Sequence, residues 1–506
     1  MAELHAIPET SAPDPTRWRM LAVIAVAQLM IILDGSIVNV ALPHIQEALS
    51  ISDANRQWVV TAYTLAFGGL LLLGGRIADY WGRKRTFIVG LLGFAAASAL
   101  GGLAPAEGFM FAARGLQGMF AALLAPAALS LVTVAFTEPH ERAKAFGVFG
   151  ALSGGGAAIG LILGGLLTDG PGWRWVMWVN VPIALVTAVL AVGIVRESRS
   201  DGHPSYDIPG ALLATSGLLA LVYGFTRVSE ADAGWADPLA IGCLSAAAVL
   251  IVAFVAVERR VANPLLPLRI PAHPIRGGSY LTFLLVGAGL FAMFLFLSYY
   301  MQGVLGYSAL RTGLHFLPFS LGIILAAGLV ARVLPVTGPR PLMVGGLAVA
   351  GTGMLMLLRI TPQDQYWTHV LPSLVMISVG MAFVFIPTSS TALIGVQPRD
   401  AGVASALLNT TQQVGGSVGL ALLSTLALAS TTRSVEEIGT VERTMPDGSV
   451  AQVPGPESLV AGFHTGFLWG AVLLYLGMLS ALLLVRIRKA DYHANVQDTE
   501  SAPAVG

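Results

Sequence analysis

The chain has 506 residues, of which 55% are hydrophobic and only 11% charged, against about 25% charged in an ordinary soluble domain. Lysine plus arginine (28) balance aspartate plus glutamate (28), which excludes a basic nucleic-acid binder and leaves lipid as the solvent that suits so apolar a chain. The one cysteine, Cys243, allows no internal disulfide and no cysteine-based metal site.

Residues 1–18 are polar and proline-bearing, and the apolar run from Met20 to Pro43 is longer than the core of a secretory signal, so it reads as a first membrane span. A bilayer core about 30 Å thick takes ~20 apolar residues per helix. Windows of that length fall at 20–42, 57–75, 86–104, 109–135, 144–167, 175–195 and 209–226. They continue at 236–257, 279–301, 314–334, 341–359, 369–392, 402–428 and 460–485, which makes fourteen. The natural parse is a tail (1–18), six spans (19–200), two inserted spans (201–260), six more spans (261–486) and a second tail (487–506). Residues 430–459, polar with glycine and proline, read as the only long outer loop.

An even span count puts both tails on one side. That side collects 20 of the 28 basic residues, the other side 7, and Arg114 lies inside a span. Basic residues favour the cytoplasm, so both termini are expected there. The stretch Arg76-Ile-Ala-Asp79-Tyr-Trp-Gly82-Arg-Lys-Arg85 also aligns, at an offset of 256 residues, with Arg332-Val-Leu-Pro-Val-Thr-Gly338-Pro-Arg340-Pro. Each closes the second span of a six-span block, which predicts two pseudo-symmetric halves.

An ionisable group inside a span is a functional candidate, because burying its charge there costs several kcal/mol. Asp34 is the one acidic residue so placed; counted from Arg19 it lies roughly 22 Å into the first span. A carboxyl there either handles protons or cations, or is a structural group held by hydrogen bonds between helices. Arg114, in the fourth span, needs an anion or a set of carbonyls. It either couples to Asp34 or serves structure alone. Between spans 2 and 3, Gly75 allows close packing and Gly82 a tight turn. Asp79 there can cap a helix or pair with Arg83 or Arg85, so the turn is either a gating latch or a plain anchor.

Span 5 is rich in glycine, including Gly147, Gly156, Gly160, Gly164 and Gly165. Gly156, Gly160 and Gly164 make a small-xxx-small face on which another helix can approach to backbone contact. Candidates for lining a cavity are Asn39, Trp58, Tyr63, Gln117, Tyr299, Tyr300, Asn409 and Gln413; each can equally be a core or interface anchor. No phosphate loop, zinc motif or nucleophile elbow is present in the sequence, so the chain reads as no enzyme and as needing neither metal nor cofactor. Uphill work would draw on an ion gradient.

These stretches resemble the major facilitator superfamily, in particular its fourteen-span drug/proton antiporter branch. The 75–85 turn is similar to the superfamily's motif between spans 2 and 3, with Ile77 and Tyr80 as departures. Met110 to Ala122, around Arg114, looks like the span 4 motif linked with proton transfer, with Phe120 in place of a glycine. Leu33-Asp34-Gly-Ser-Ile-Val-Asn39-Val-Ala-Leu-Pro43 is similar to the span 1 motif of the branch. Span 5 looks like the antiporter motif through Gly147, Gly156, Gly160, Gly164 and Gly165, with Leu161 where that motif has proline. Trp173 through Pro182 and Asn409 through Gly416 also look like this branch.

The resemblance covers about residues 18–430. It implies an all-α membrane fold of fourteen helices as 6+2+6, and alternating access driven by inward proton flow. It further implies export of a small hydrophobic or cationic compound from a bacterial plasma membrane, by a chain read here as monomeric. With a single carboxylate in the membrane, monocations or neutral molecules are the expected cargo. The other classes to weigh are a proton-coupled importer of a metabolite, which would need more polar residues in its spans, and a non-transporting scaffold or sensor, which would need a soluble output domain.

Overall fold

The computed structural model describes residues 16–136, 138–199, 207–228, 230, 234–363, 365–396, 400–444 and 450–487. The ends 1–15 and 488–506, the segment 201–206 and Arg399, Arg488 and Lys489 of the charge count lie outside the described residues, as do the surroundings of Gly147.

In lipid every backbone N–H and C=O needs a partner within the segment, so the apolar windows close into helices. The first half runs α1 (Arg17–Ala48), α2 (Trp58–Trp81), α3 (Arg83–Gly102), α4 (Glu107–Ala135), α5 (Pro139–Asp169), α6 (Arg174–Trp178) and α7 (Asn180–Ile194). Then come α8 (Ile208–Val228) and α9 (Pro238–Glu258). The second half is α10 (Pro274–Tyr299, extended by a π turn Tyr300–Val304), α11 (Ala309–Thr337), α12 (Pro339–Met356), α13 (Val370–Ala392), α14 (Ala401–Ile438) and α15 (Pro456–Leu484). Among the described residues thirteen helical stretches are long and apolar enough to cross a membrane, α6 and α7 counting as one, and the 156–169 part of α5 adds a shorter apolar one.

The packing repeats. In the first half α1 packs on α5, α2 on α4, and α3 on α4 and α7; in the second, α10 packs on α14, α11 on α13, and α12 on α13 and α15. Across the halves α2 meets α14 and α5 meets α11, again a reciprocal pair. Helices α8 and α9 pack on each other, and α8 rests on α2 and α14. This is consistent with the 6+2+6 parse. The 256-residue offset read from the sequence has a backbone counterpart: Gly82 and Gly338 both take positive φ (119° and 81°) between the second and third helices of their halves, a conformation that favours glycine.

The halves share an extended apolar core at the end away from the arginine-rich loops, where Ile37, Val40 and Ile45 of α1 join Leu297 and Met301 of the second half. Polar bonds reinforce that end. Gln302 Nε2 donates to Val40 O at 2.9 Å, the Tyr299 hydroxyl donates to Gln46 Oε1, and Asp169 accepts the N–H groups of Ala309 and Leu310 at the start of α11 at 3.1 and 2.8 Å. On the arginine-rich side the first half keeps its own core around Phe87, Phe94 and Val132, and the second half keeps others around Tyr280 and Val330. A small cluster of Leu72, Ala211 and Leu265 bridges them along the α2 flank.

In the expected loop 430–459, the described residues 430–444 and 450–459 carry regular structure. α14 runs on to Ile438, because the hydroxyls that made it look polar bond to carbonyls: Thr431 to Ala427 O (3.1 Å) and Ser430 to Ala461 O (3.3 Å). Beyond Gly439 at φ 93°, strands β1 (Thr440–Thr444) and β2 (Val450–Pro454) form an antiparallel hairpin that leads into α15.

The glycine face of span 5 lies against α1. A side chain at Gly160 would begin 1.9 Å from Ser36 Oγ, and one at Gly164 would begin 2.8 Å from Ile37 O, whereas Gly115 has nothing within 4 Å. Gly160→Leu is therefore expected to push α1 off α5 and lower stability by about 1–3 kcal/mol, while Gly115→Ala leaves it unchanged. Thermal unfolding of the purified protein in detergent checks both, and equal melting temperatures for the two variants would refute this account of the packing.

Candidate functional site

Because Gly156, Gly160 and Gly164 take the face of α1 that carries Leu29, Ile32, Ser36 and Ile37, Asp34 is turned towards α4 and α7. It is fully buried there. Its Oδ2 accepts Arg114 Nη1 at 2.7 Å, and its Oδ1 accepts Asn180 Nδ2 at 2.7 Å and Gln117 Nε2 at 3.1 Å. Arg114 and Gln117, three residues apart on one helical face, bond to each other as well, Nη1 to Oε1 at 2.9 Å. The guanidinium spends its Nε on Val59 O (2.8 Å) and lies over the Tyr63 ring, 4.4 Å from its centre. Gln117 Nε2 also donates to Ser98 Oγ at 2.6 Å. Five helices (α1, α2, α3, α4 and α7) thus meet in one polar knot whose charged members are 0% and 1% exposed.

A buried ion pair is tolerable only when further hydrogen bonds satisfy both partners. Here the carboxylate has three donors, and the cation has the carboxylate, a backbone carbonyl, an amide oxygen and an aromatic face. The arrangement has a chemical consequence. Both Oδ1 donors can stay when Asp34 takes a proton, but a proton on Oδ2 competes directly with Arg114 Nη1. Apart from Asp34, the guanidinium is held by Val59 O, Gln117 Oε1 and the Tyr63 ring. Asn180 Oδ1 and the Tyr63 hydroxyl have no partner among the described residues.

The later part of the 75–85 turn is tied to its own half. Asp79 Oδ1 accepts Arg83 Nη2 at 3.0 Å, the pairing option rather than the capping one. The cap on α3 is Glu197, which accepts the backbone N–H groups of Lys84 and Arg85 at 3.0 and 3.2 Å and sits 3.7 Å from Arg85 Nε. An anion suits a helix N-terminus. A side chain at Gly82 would start 2.8 Å from that carboxylate, so Gly82 makes room for it. The tight α2–α4 approach belongs to Gly74, where a side chain would start 2.0 Å from Ala122 O; at Gly75 the distance to Pro126 is an ordinary 3.6 Å. Gly165 faces across the halves, with Leu310 Cα 2.3 Å from its missing Cβ.

The cavity candidates other than Tyr63 and Gln117 are scattered. Trp58 packs on α8 and α14 with Val222 and Ala421. Tyr300 is an anchor of the second half, fully buried, with its hydroxyl on Thr361 O at 2.8 Å. Tyr299 lies in the seam between the halves under Arg56, 4.2 Å from its ring centre. Gln413 closes against Gly68 in the α2–α14 contact, and Asn39 and Asn409 bond to carbonyls of their own helices, Gly35 O (3.1 Å) and Ser405 O (3.4 Å). Sequence reading missed Ser98, Asn180 and Glu197 as site residues. A buried amide at the start of α7 was a usable signal for Asn180; for Ser98, in an alanine-rich helix, there was none.

This packing, with a buried charge knot in one half, is that of a multi-pass membrane transporter rather than an enzyme. The chain belongs to the Major Facilitator Superfamily, whose family model matches residues 24–420. It is 50% identical over 455 residues to a puromycin resistance protein of Streptomyces alboniger, covering 88% of this chain and 90% of that one. It is 40% identical over 425 residues to a cephamycin export protein of Amycolatopsis lactamdurans, covering 83% and 86%. Among solved structures, a bacterial homologue of the human lysosomal transporter Spinster, in an inward-facing and occupied conformation, superimposes with a TM-score of 0.66. It covers 95% of this chain and 99% of that one at 15% identity, a likeness of fold alone.

Removing one partner of a buried pair strands the other charge, at about 3–5 kcal/mol. Arg114→Leu is expected to lose stability on that scale, and adding Asp34→Asn should restore most of it. Thermal melts of the wild type, both single variants and the double variant form the cycle; no recovery in the double variant would show that the pair does not carry the stability of the knot.

Proposed function

We propose that this protein is a proton-coupled exporter of small hydrophobic or monocationic compounds, working by alternating access in a bacterial plasma membrane as a monomer, with both termini in the cytoplasm. The observation that carries this reading is the buried bond from Arg114 Nη1 to Asp34 Oδ2 at 2.7 Å, the oxygen for which a proton would compete. The relatives that resist puromycin or export cephamycin support the direction of transport and the drug-like cargo.

In the proposed cycle the present arrangement, with the cores joined at the end away from the arginines, faces inward and takes up cargo while Asp34 holds Arg114. The bundles rock, cargo leaves, and a proton from outside takes Oδ2 and displaces the guanidinium. On return the proton is lost to the cytoplasm and Arg114 closes on the carboxylate again. At no stage is the carboxylate bare in a low-dielectric interior, which keeps the swing cheap. The proton is the coupling ion, and the cycle uses no metal or other cofactor. A site whose net charge alternates between zero and one positive suits monocations and neutral molecules better than dications.

Everted vesicles energised with a proton gradient, and loaded with puromycin or a lipophilic cationic dye, test the scheme. Substrate addition should release protons from the wild type, while Asp34→Asn should abolish uphill accumulation and keep downhill exchange. A correctly inserted Asp34→Asn protein that still concentrates substrate would overturn the proposal.

A further inference from the structure

Far from Asp34, on the arginine-rich side, two acidic residues are both 3% exposed: Asp207, just before α8, and Glu258, which ends α9. They face each other over Gly210, where a side chain would begin 2.6 Å from Asp207 Oδ2 and 2.8 Å from Glu258 Oε1. The donors around them are few. Gly210 N–H gives to Asp207 Oδ1 at 2.8 Å, Leu265 N–H to Asp207 Oδ2 at 3.3 Å, and Leu266 N–H to Glu258 Oε2 at 3.0 Å. Glu258 Oε1 is buried with no partner among the described residues. The charged groups that face Glu258 are Asp207 and, from α2, Arg76, whose Nη2 donates to Pro264 O at 3.3 Å.

Two ionised carboxylates are acceptors only. Three backbone donors satisfy both oxygens of Asp207 and one of Glu258, and the last oxygen is left at the full cost of an unpaired buried acceptor. A proton removes both the orphan and the like-charge repulsion. We propose that Asp207 and Glu258 bind one proton between them, carried on Glu258 Oε1 and donated to Asp207 Oδ2, as a second proton site of this protein. The proton comes from water at the arginine-rich face and returns to it; only the O–H bond is made and broken. A metal ion fits less well, because among the described residues no third histidine, cysteine or carboxylate joins the pair to complete a ligand set. The site clamps the start of α8, the end of α9 and the 261–266 connector beside α2, the helix that leads into the 75–85 turn. Loss of the proton leaves two like charges in one buried contact, and the connector is driven from α2.

The test needs no transport assay, so it stands or falls apart from the export reading. Infrared spectra of the whole protein in lipid nanodiscs at neutral pH should contain a protonated-carboxyl C=O band that shifts on exchange into heavy water. The band should survive in Asp34→Asn and be lost in Glu258→Gln. It should also be lost in Asp207→Asn, whose amide can donate to an ionised Glu258. In parallel, the melting temperature of the wild type should fall as pH rises through the loss of the shared proton, and that fall should vanish in Glu258→Gln. An unchanged band in Glu258→Gln, or an unchanged pH dependence of melting, would overturn the assignment.

Discussion

A carboxylate in the middle of a membrane helix must be answered by other groups or given up, and the first half of this protein is arranged around that constraint. Arg114, Gln117 and Asn180 all reach Asp34, while Ser98 and the Val59 carbonyl hold the responders in place. None of these helices could turn or slide by a residue without leaving a polar atom unpaired in a dry interior, where such an atom costs several kcal/mol. The knot therefore fixes the register of five helices at once.

The helix that carries Asp34 is also the one that meets the other half. Its later turns form the Val40–Gln302 and Gln46–Tyr299 bonds, and its flank lies in backbone contact with the glycines of α5. α5 in turn packs α11 through Gly165, and Gly313 of α11 closes on Leu161 O. With no side chains between them, these helices form stiff contacts with little room for gradual adjustment. A change in what Asp34 holds is therefore delivered to the seam between the halves through rigid neighbours rather than through soft side chains.

Much of this was legible in the chain itself. The windows near 109–135 and 209–226 correspond to Glu107–Ala135 and Ile208–Val228, since the hydrophobic length of a span is dictated by lipid thickness. The offset between Gly82 and Gly338 was visible as a weak repeat because both turns demand a positive φ. Asp34 and Arg114 stood out because charge is rare inside spans. The aromatic candidates did not resolve: Trp58, Tyr299 and Tyr300 went to three different places, since an aromatic ring is equally at home in a core, a seam or a cavity. The 430–459 stretch misled because hydroxyl side chains look polar in sequence yet bond back to helical carbonyls.

The sequence by itself determined a membrane protein of apolar helices, the asymmetry of its basic loops, and the few residues too costly to bury without purpose. Those follow from transfer energies that each segment carries on its own. Only the tertiary structure decided that Arg114 closes on Asp34, that Glu197 rather than Asp79 caps α3, that Gly74 rather than Gly75 is the tight contact, and that Asp207 and Glu258 face each other. Each of those is a meeting between residues far apart in the chain, and which partners meet depends on how whole helices pack, a property that no single segment contains.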